Sequence, residues 1–246
     1  MNYYVVCDIN GHYDEFKKLL AIAIQEEQYT VFLAGDSIGE GSQNSKMIEY
    51  LSGYDFRQIY PLKGDKEYEF IQNVKKLQDT INRNNVMLSE AYDLLKQNSE
   101  SFDQYSIIIR LIKEDSYNIE KLTKAANMFS CFNTHSGVVM NGRSHYIVHA
   151  GITCSPDIDE DYTNVNLYSK GTRCFENAAA NSVVIAGHSS TADKSEFVYN
   201  NGRIFKYHSE KNKCEYYNIN CFSGQSEKDV SRFACLRLND RTEYYI

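Results

Sequence analysis

Two stretches, Tyr3-Tyr4-Val5-Val6-Cys7-Asp8-Ile9-Asn10-Gly11 and Thr30-Val31-Phe32-Leu33-Ala34-Gly35-Asp36, decide the fold. Each is an apolar run of strand length that stops at an acid, the first followed by a glycine-containing turn and the second preceded by a glycine. Between them, Asp14-Glu15-Phe16-Lys17-Lys18-Leu19-Leu20-Ala21-Ile22-Ala23-Ile24 has helical spacing. Its acids fall in the first turn, where they complement the helix dipole. Strand, turn, helix and strand over roughly thirty residues is the length of a βαβ crossover. Asp8 and Asp36 are therefore expected at the carboxyl ends of neighbouring parallel strands, the edge at which open α/β sheets bind ligands. Ile59-Tyr60-Pro61-Leu62-Lys63 is a third predicted strand and delivers Asp65 to the same edge.

Beyond this unit the pattern turns helical from about residue 67 to 130, with Phe70, Val74, Leu77 and Ile81 spaced four, three and four apart. Rich in Asn, Gln, Lys and Glu, this segment is expected as a helical cap or insertion, or as a pair of helices that braces the sheet. Strands return at 138–140, 145–148 and 182–186, the last two leading to His149 and His188. Phe197-Val198-Tyr199 and Arg203-Ile204-Phe205-Lys206-Tyr207 flank an Asn-Asn-Gly turn and predict a hairpin. Further strands are expected at 215–219, 233–238 and 243–246. The expected architecture is α/β (α+β), with two mixed sheets packed face to face and helices outside, in one domain spanning 1–246.

A chain of 246 residues with 42% apolar content can bury a full core without a second domain. The net charge of −7 comes with no basic stripe, which argues against a nucleic-acid partner. No long apolar run predicts a membrane span, and no leader pattern precedes the first strand, so a cytoplasmic location is expected. The seven cysteines (7, 131, 154, 174, 214, 221 and 235) form no CxxC pair, so they are expected as separate thiols rather than a zinc ribbon or disulfide framework.

Five segments carry the chemistry: Cys7-Asp8-Ile9-Asn10-Gly11, Gly35-Asp36-Ser37-Ile38-Gly39-Glu40-Gly41, Gly64-Asp65-Lys66-Glu67, Val148-His149-Ala150-Gly151 and Ala186-Gly187-His188-Ser189. In order and spacing they resemble the phosphoprotein-phosphatase branch of the calcineurin-like metallophosphoesterases, which includes serine/threonine phosphatases and diadenosine tetraphosphatase-like enzymes. There the segments read DxHG, GDxxDRG, GNHE, HAG and GHT. Such enzymes hold two cations roughly 3.5–4 Å apart, which polarise the phosphate and activate water.

Carried over by position, the resemblance implies a first metal position at Asp8, Asn10 and Asp36, and a second at Asp36, Asp65, His149 and His188. Two carboxylates and two imidazoles suit Mn, Fe or Zn. Asn10 stands where the family has histidine, and an amide oxygen is the weaker ligand, so at most one ion is expected, at the second position. His12 lies beyond Gly11 at the helix entry and is expected as a surface or cap residue.

The family's general-acid histidine is Lys66 and its aspartate partner is Gly39. The phosphate-clamping arginine is Glu40, and a second arginine aligns with Lys170 in Tyr168-Ser169-Lys170. An ordinary ammonium stays protonated at neutral pH and is poorly matched to leaving-group proton transfer. A Lys66–Glu40 ion pair across the cavity is one expected outcome of these exchanges. The implied function is a pseudophosphatase that binds a phosphorylated ligand or a protein partner with weak or no hydrolysis. The alternatives are an active phosphoesterase with a rearranged one-metal site, acting on phosphoprotein or nucleotide phosphoesters, and a purely structural cation.

Overall fold

The computed structural model describes residues 1–53, 57–98, 106–152, 162–222 and 231–246. The strands are β1 (Asn2–Val6), β2 (Tyr29–Leu33), β3 (Ile59–Pro61), β4 (His135–Met140), β5 (Arg143–Val148), β6 (Val183–Ala186), β7 (Phe205–His208), β8 (Glu215–Asn218), β9 (Ala234–Arg237) and β10 (Thr242–Tyr245). The helices are α1 (Tyr13–Ala23), α2 (Asn44–Gly53), α3 (Asp65–Asn84), α4 (Leu88–Asn98), α5 (Ser106–Glu114), α6 (Ile119–Ser130) and α7 (Tyr162–Tyr168).

Two five-stranded sheets form, in the orders β10-β9-β1-β2-β3 and β4-β5-β6-β8-β7. Both are mixed. β1, β2 and β3 run parallel, as do β5, β6 and β8, while β9, β10, β4 and β7 pair antiparallel at the flanks. The βαβ unit read from the first thirty-odd residues is the β1-α1-β2 crossover.

Strand periodicity assigns each residue to a layer. On β1 and β2, Val5, Cys7, Phe32 and Ala34 pack against Ile147, Val183, Ile185 and Tyr217 of the other sheet. Their alternates Tyr4, Val6, Val31 and Leu33 face the opposite way, into a core shared with α1, α2, α3 and α6. On the far sheet, Val148, Val184, Ala186 and Tyr216 build a third apolar layer with Phe175 and Val198.

The 67–130 segment forms α3 to α6, with 99–105 outside the described residues. Phe70, Val74 and Leu77 are buried on α3 as the spacing predicts. Phe70 meets Phe129 of α6 edge-on, with ring centroids 5.5 Å apart. α3 ends where Asn85 adopts φ 51 and its N–H returns to the Ile81 carbonyl.

The predicted 197–207 hairpin does not form. β7 starts at Phe205 and pairs with β8 instead, with Phe205 opposite Asn218. The turn itself forms, since Asn201 and Gly202 take φ 54 and 66. The arm before the turn is captured elsewhere: the N–H groups of Asn200 and Gly202 both donate to the Thr191 carbonyl, at 2.8 and 3.1 Å. Six cysteines are free thiols and Cys154 lies outside the described residues. Among the described residues, no helix is long and apolar enough to cross a membrane.

Because Phe129 is fully buried between Phe70 and Phe132, Phe129→Ala is expected to cost about 3–5 kcal/mol. Urea denaturation measures it, and a loss under about 1 kcal/mol would mean that these helices do not share the main core.

Candidate metal centre

Five side chains converge where the parallel strands of both sheets end. Asp8 and Asp36 follow β1 and β2, Asp65 opens α3 after β3, His149 follows β5, and His188 lies two residues past β6. Two groups of donor atoms result, Asp65–His149–His188 and Asp8–Asp36–His149, with all atoms of each group within 4.8 Å of one another. Asp65 Oδ1 is 2.7 Å from His149 Nε2 and 3.2 Å from His188 Nδ1. Asp36 Oδ1 is 3.6 Å from the same His149 nitrogen.

His149 Nδ1 lies 3.0 Å from the Ala34 carbonyl, which can only accept, so that nitrogen carries a proton. Nε2 is thereby aimed at the carboxylates, and a buried ring oriented by a second-layer carbonyl is the arrangement of a metal-ligating histidine.

The backbone is strained to make this convergence. Asp8, Asn10, Asp36 and His188 have φ of 50, 52, 50 and 64, a left-handed region that non-glycine residues adopt at a cost, and such strain gathers at functional sites. The packing leaves no space for some side chains. A Cβ at Gly187 would stand 2.0 Å from Asp8 Oδ2, and one at Gly64 would stand 2.2 Å from Asp36 Oδ1.

A second layer holds these groups. The fully buried Glu67 carboxylate accepts from four backbone N–H groups: Gly64 (2.8 Å) and Asp36 (2.9 Å) on Oε2, Ser37 (2.7 Å) and Ile38 (3.2 Å) on Oε1. Asn44 locks the far side of the same loop, accepting from Gly39 N–H and donating to the carbonyls of Gly39 and Gly41, each at 2.9 Å. Arg110 of α5 donates to the carbonyls of Glu40 and Gly41. Asn218 and Asn220 donate to the carbonyls of Gly187 and His188 at 2.9 and 3.1 Å, fixing the histidine loop from below.

Charge follows from this packing. Burial pushes the carboxyls of Asp36 and Asp8 up, with the neighbouring Asp65 adding to the effect at Asp36. Burial acts the same way on Asp65, but hydrogen bonds from both imidazoles hold it well below the usual carboxylate range. For His149 burial favours the neutral ring, and the surrounding carboxylates outweigh it. For Lys66 burial likewise opposes the charge, and Asp65 and Asp36 hold the ammonium above its ordinary pKa.

Asn10 donates Nδ2 to the Asp8 carbonyl at 3.1 Å. Its Oδ1 is buried without a partner, in the space that a side chain at Gly39 would need. Lys66 Nζ sits 3.4 Å from Asp65 Oδ2, and no ion pair joins it to Glu40. The Lys66–Glu40 pair is therefore corrected: Asp65 is adjacent and buried, whereas Glu40 is exposed. Lys170, aligned with the second arginine, stands beside a carboxylate that lines the cleft. Its side chain is 61% exposed and pairs with Glu196 at 3.4 Å, while Tyr168 of the same segment stands edge-on to His188 with ring centroids 6.5 Å apart. His12 caps α1 and its ring packs against Phe222 and Phe233.

The resulting cleft measures about 480 Å³ and is lined by six carboxylates, Asp8, Asp36, Glu40, Asp65, Asp193 and Glu196, against one amine, Lys66. None of its described lining comes from 67–130. The sequence reading passed over the anchoring roles of Glu67, Asn44, Asn218 and Arg110. Of these, Glu67 had a local signal, a glutamate three residues after the residue that caps a helix.

No protein-family model and no curated protein sequence matches the chain. Solved structures do match over nearly its whole length. One, provisionally named a diadenosine tetraphosphatase, aligns with 100% of this chain and 92% of its own at 13% identity, with a TM-score of 0.58. A protein serine/threonine phosphatase from Saccharomyces cerevisiae covers 97% of this chain and 73% of its own, at 12% identity and a TM-score of 0.54. A metallophosphoesterase from Sphaerobacter thermophilus covers 100% and 88%, at 11% identity and a TM-score of 0.50. The chain has the calcineurin-like metallophosphoesterase fold, with candidate metal ligands at the strand ends.

Glu67→Ala strips four buried N–H groups of their acceptor and is expected to cost about 3 kcal/mol or more. Urea denaturation measures this, and a change under about 1 kcal/mol would show that the loops hold without it.

Proposed function

We propose that this chain is a degenerate serine/threonine-phosphatase-like metallophosphoesterase that binds a divalent cation, and through it a phosphorylated ligand or a protein partner, with weak or no hydrolysis. One observation carries the reading. The Asp65–His149–His188 centre is assembled and oriented, while the residue at the general-acid position, Lys66, keeps its ammonium on Asp65.

The donor chemistry fits a cation. Asp36, Asp65, His149 and His188 would hold it, and two nitrogens with carboxylate oxygens suit Mn, Fe or Zn. When bound, it would supply Lewis-acid polarisation of a phosphoryl oxygen. Asp8 and Asp36 contribute carboxylates on the other side of His149, where Asn10 offers only a neutral amide.

The chain's own residues do the rest, and they do little for hydrolysis. Carboxyl groups outnumber the amine six to one among the described lining residues, so a phosphate dianion finds little attraction there. The amine is already engaged, and no arginine is among the described lining residues. Attraction for phosphate therefore depends on the cation, and the amine at the general-acid position is held on Asp65 rather than free for a leaving oxygen.

A second reading, an active hydrolase with a one-metal site, draws on the strained φ of Asp8, Asp36 and His188. Strain of this kind persists where a mechanism uses it.

The test is turnover of an aryl phosphate with added Mn²⁺, alongside ion content per chain, in the wild type and in Asp36→Ala. The expected result is about one ion per chain in the wild type, a roughly tenfold or greater loss of ion affinity in the variant, and the same background turnover in both. Turnover present in the wild type and lost in Asp36→Ala would overturn the binding reading in favour of the second.

A further inference from the structure

The two oxygens of Asp65 face different partners. Oδ1 looks inward, 2.7 Å from His149 Nε2 and 3.2 Å from His188 Nδ1. Oδ2 looks outward, 3.4 Å from Lys66 Nζ. The backbone N–H of Lys66 donates to Asp36 Oδ1 at 3.0 Å, so one residue touches both carboxylates that flank His149. The Asp65 side chain is 8% exposed and that of Lys66 is 30% exposed. The contact is thus sheltered at the carboxylate and reaches solvent along the amine.

A carboxylate can offer a cation one oxygen or two. Hard cations such as Ca²⁺ gather six to eight oxygens and readily take both from one carboxylate. Zn²⁺ is satisfied with about four ligands and accepts imidazole nitrogen and single carboxylate oxygens. An oxygen engaged by an ammonium is a poor second donor, because the cation would have to displace a like charge to reach it.

Resting on the reading of this centre as a metal site, we propose that Lys66 is a positioning residue that sets ion selectivity: its ammonium occupies Asp65 Oδ2, leaves Oδ1 as the one oxygen presented to the imidazoles, and so favours Zn²⁺-like ions over Ca²⁺. The amine thereby has a role that its position in the motif does not suggest. It acts through Asp65 rather than on a substrate. Its charge also opposes every cation that enters, so its removal strengthens binding in general and Ca²⁺ binding most.

The experiment is calorimetric titration of chelator-stripped protein with Zn²⁺ and, separately, with Ca²⁺, in the wild type, Lys66→Met and Lys66→Arg. The wild type is expected to prefer Zn²⁺. Lys66→Met is expected to raise Ca²⁺ affinity about tenfold and Zn²⁺ affinity about threefold, which narrows the preference. Lys66→Arg keeps a cation against Oδ2 and is expected to retain the wild-type ratio. Lys66→Gln, polar at the same helix start, repeats the measurement if the methionine variant does not fold. An unchanged Zn²⁺/Ca²⁺ ratio in the neutral variants overturns the inference and leaves the metal site standing. A wild-type protein that binds neither ion removes the metal site, and the inference with it.

Discussion

The buried carboxylate of Glu67 is the constraint from which the site follows. It gathers four N–H groups from two segments that are separate in sequence, the loop after β2 and the turn before α3. A carboxylate withdrawn from water is costly unless its lone pairs are filled, and here four amides fill them. Among the described residues those amides have no other acceptor. The arrangement is mutually required, and it sets where Asp36 and Asp65 stand relative to each other before any ligand arrives.

From that fixed pair the rest of the site is built outward. His149 is turned by the Ala34 carbonyl so that its other ring nitrogen meets both aspartates. His188 is set by the asparagines of the β8 tail and by Asp8, whose carboxylate accepts its N–H. The cost is a run of left-handed residues and close glycine approaches that the two packed sheets impose. The benefit is a dense patch of negative charge with two imidazoles at its centre. Such a patch suits a cation and disfavours an anion.

Much of this was legible in the sequence, because the signals were local. Apolar runs that stop at Asp8, Asp36 and Asp65 gave strand ends. The ordered motifs named the groups that converge. What escaped depends on partners distant in the chain. The 197–207 hairpin failed because Thr191 competes for the arm that would have paired. Lys66 pairs with its neighbour Asp65 rather than with Glu40. A motif fixes where a residue stands, but the balance of burial and charge around it decides which partner it takes. Arg110 gave no local sign at all, since its acceptors lie some seventy residues earlier.

That arginine has a consequence for how the molecule breathes. It ties α5 to the carbonyls of Glu40 and Gly41, which belong to the same loop that Glu67 and Asn44 hold. Local opening of a protein proceeds in cooperative units, and this bond places a helix of the insertion in the same unit as the rim of the cleft. Amide hydrogens along α5 would then exchange with solvent in step with those of residues 38–41. Anything that stiffens the cleft would slow exchange in a helix that lines none of it.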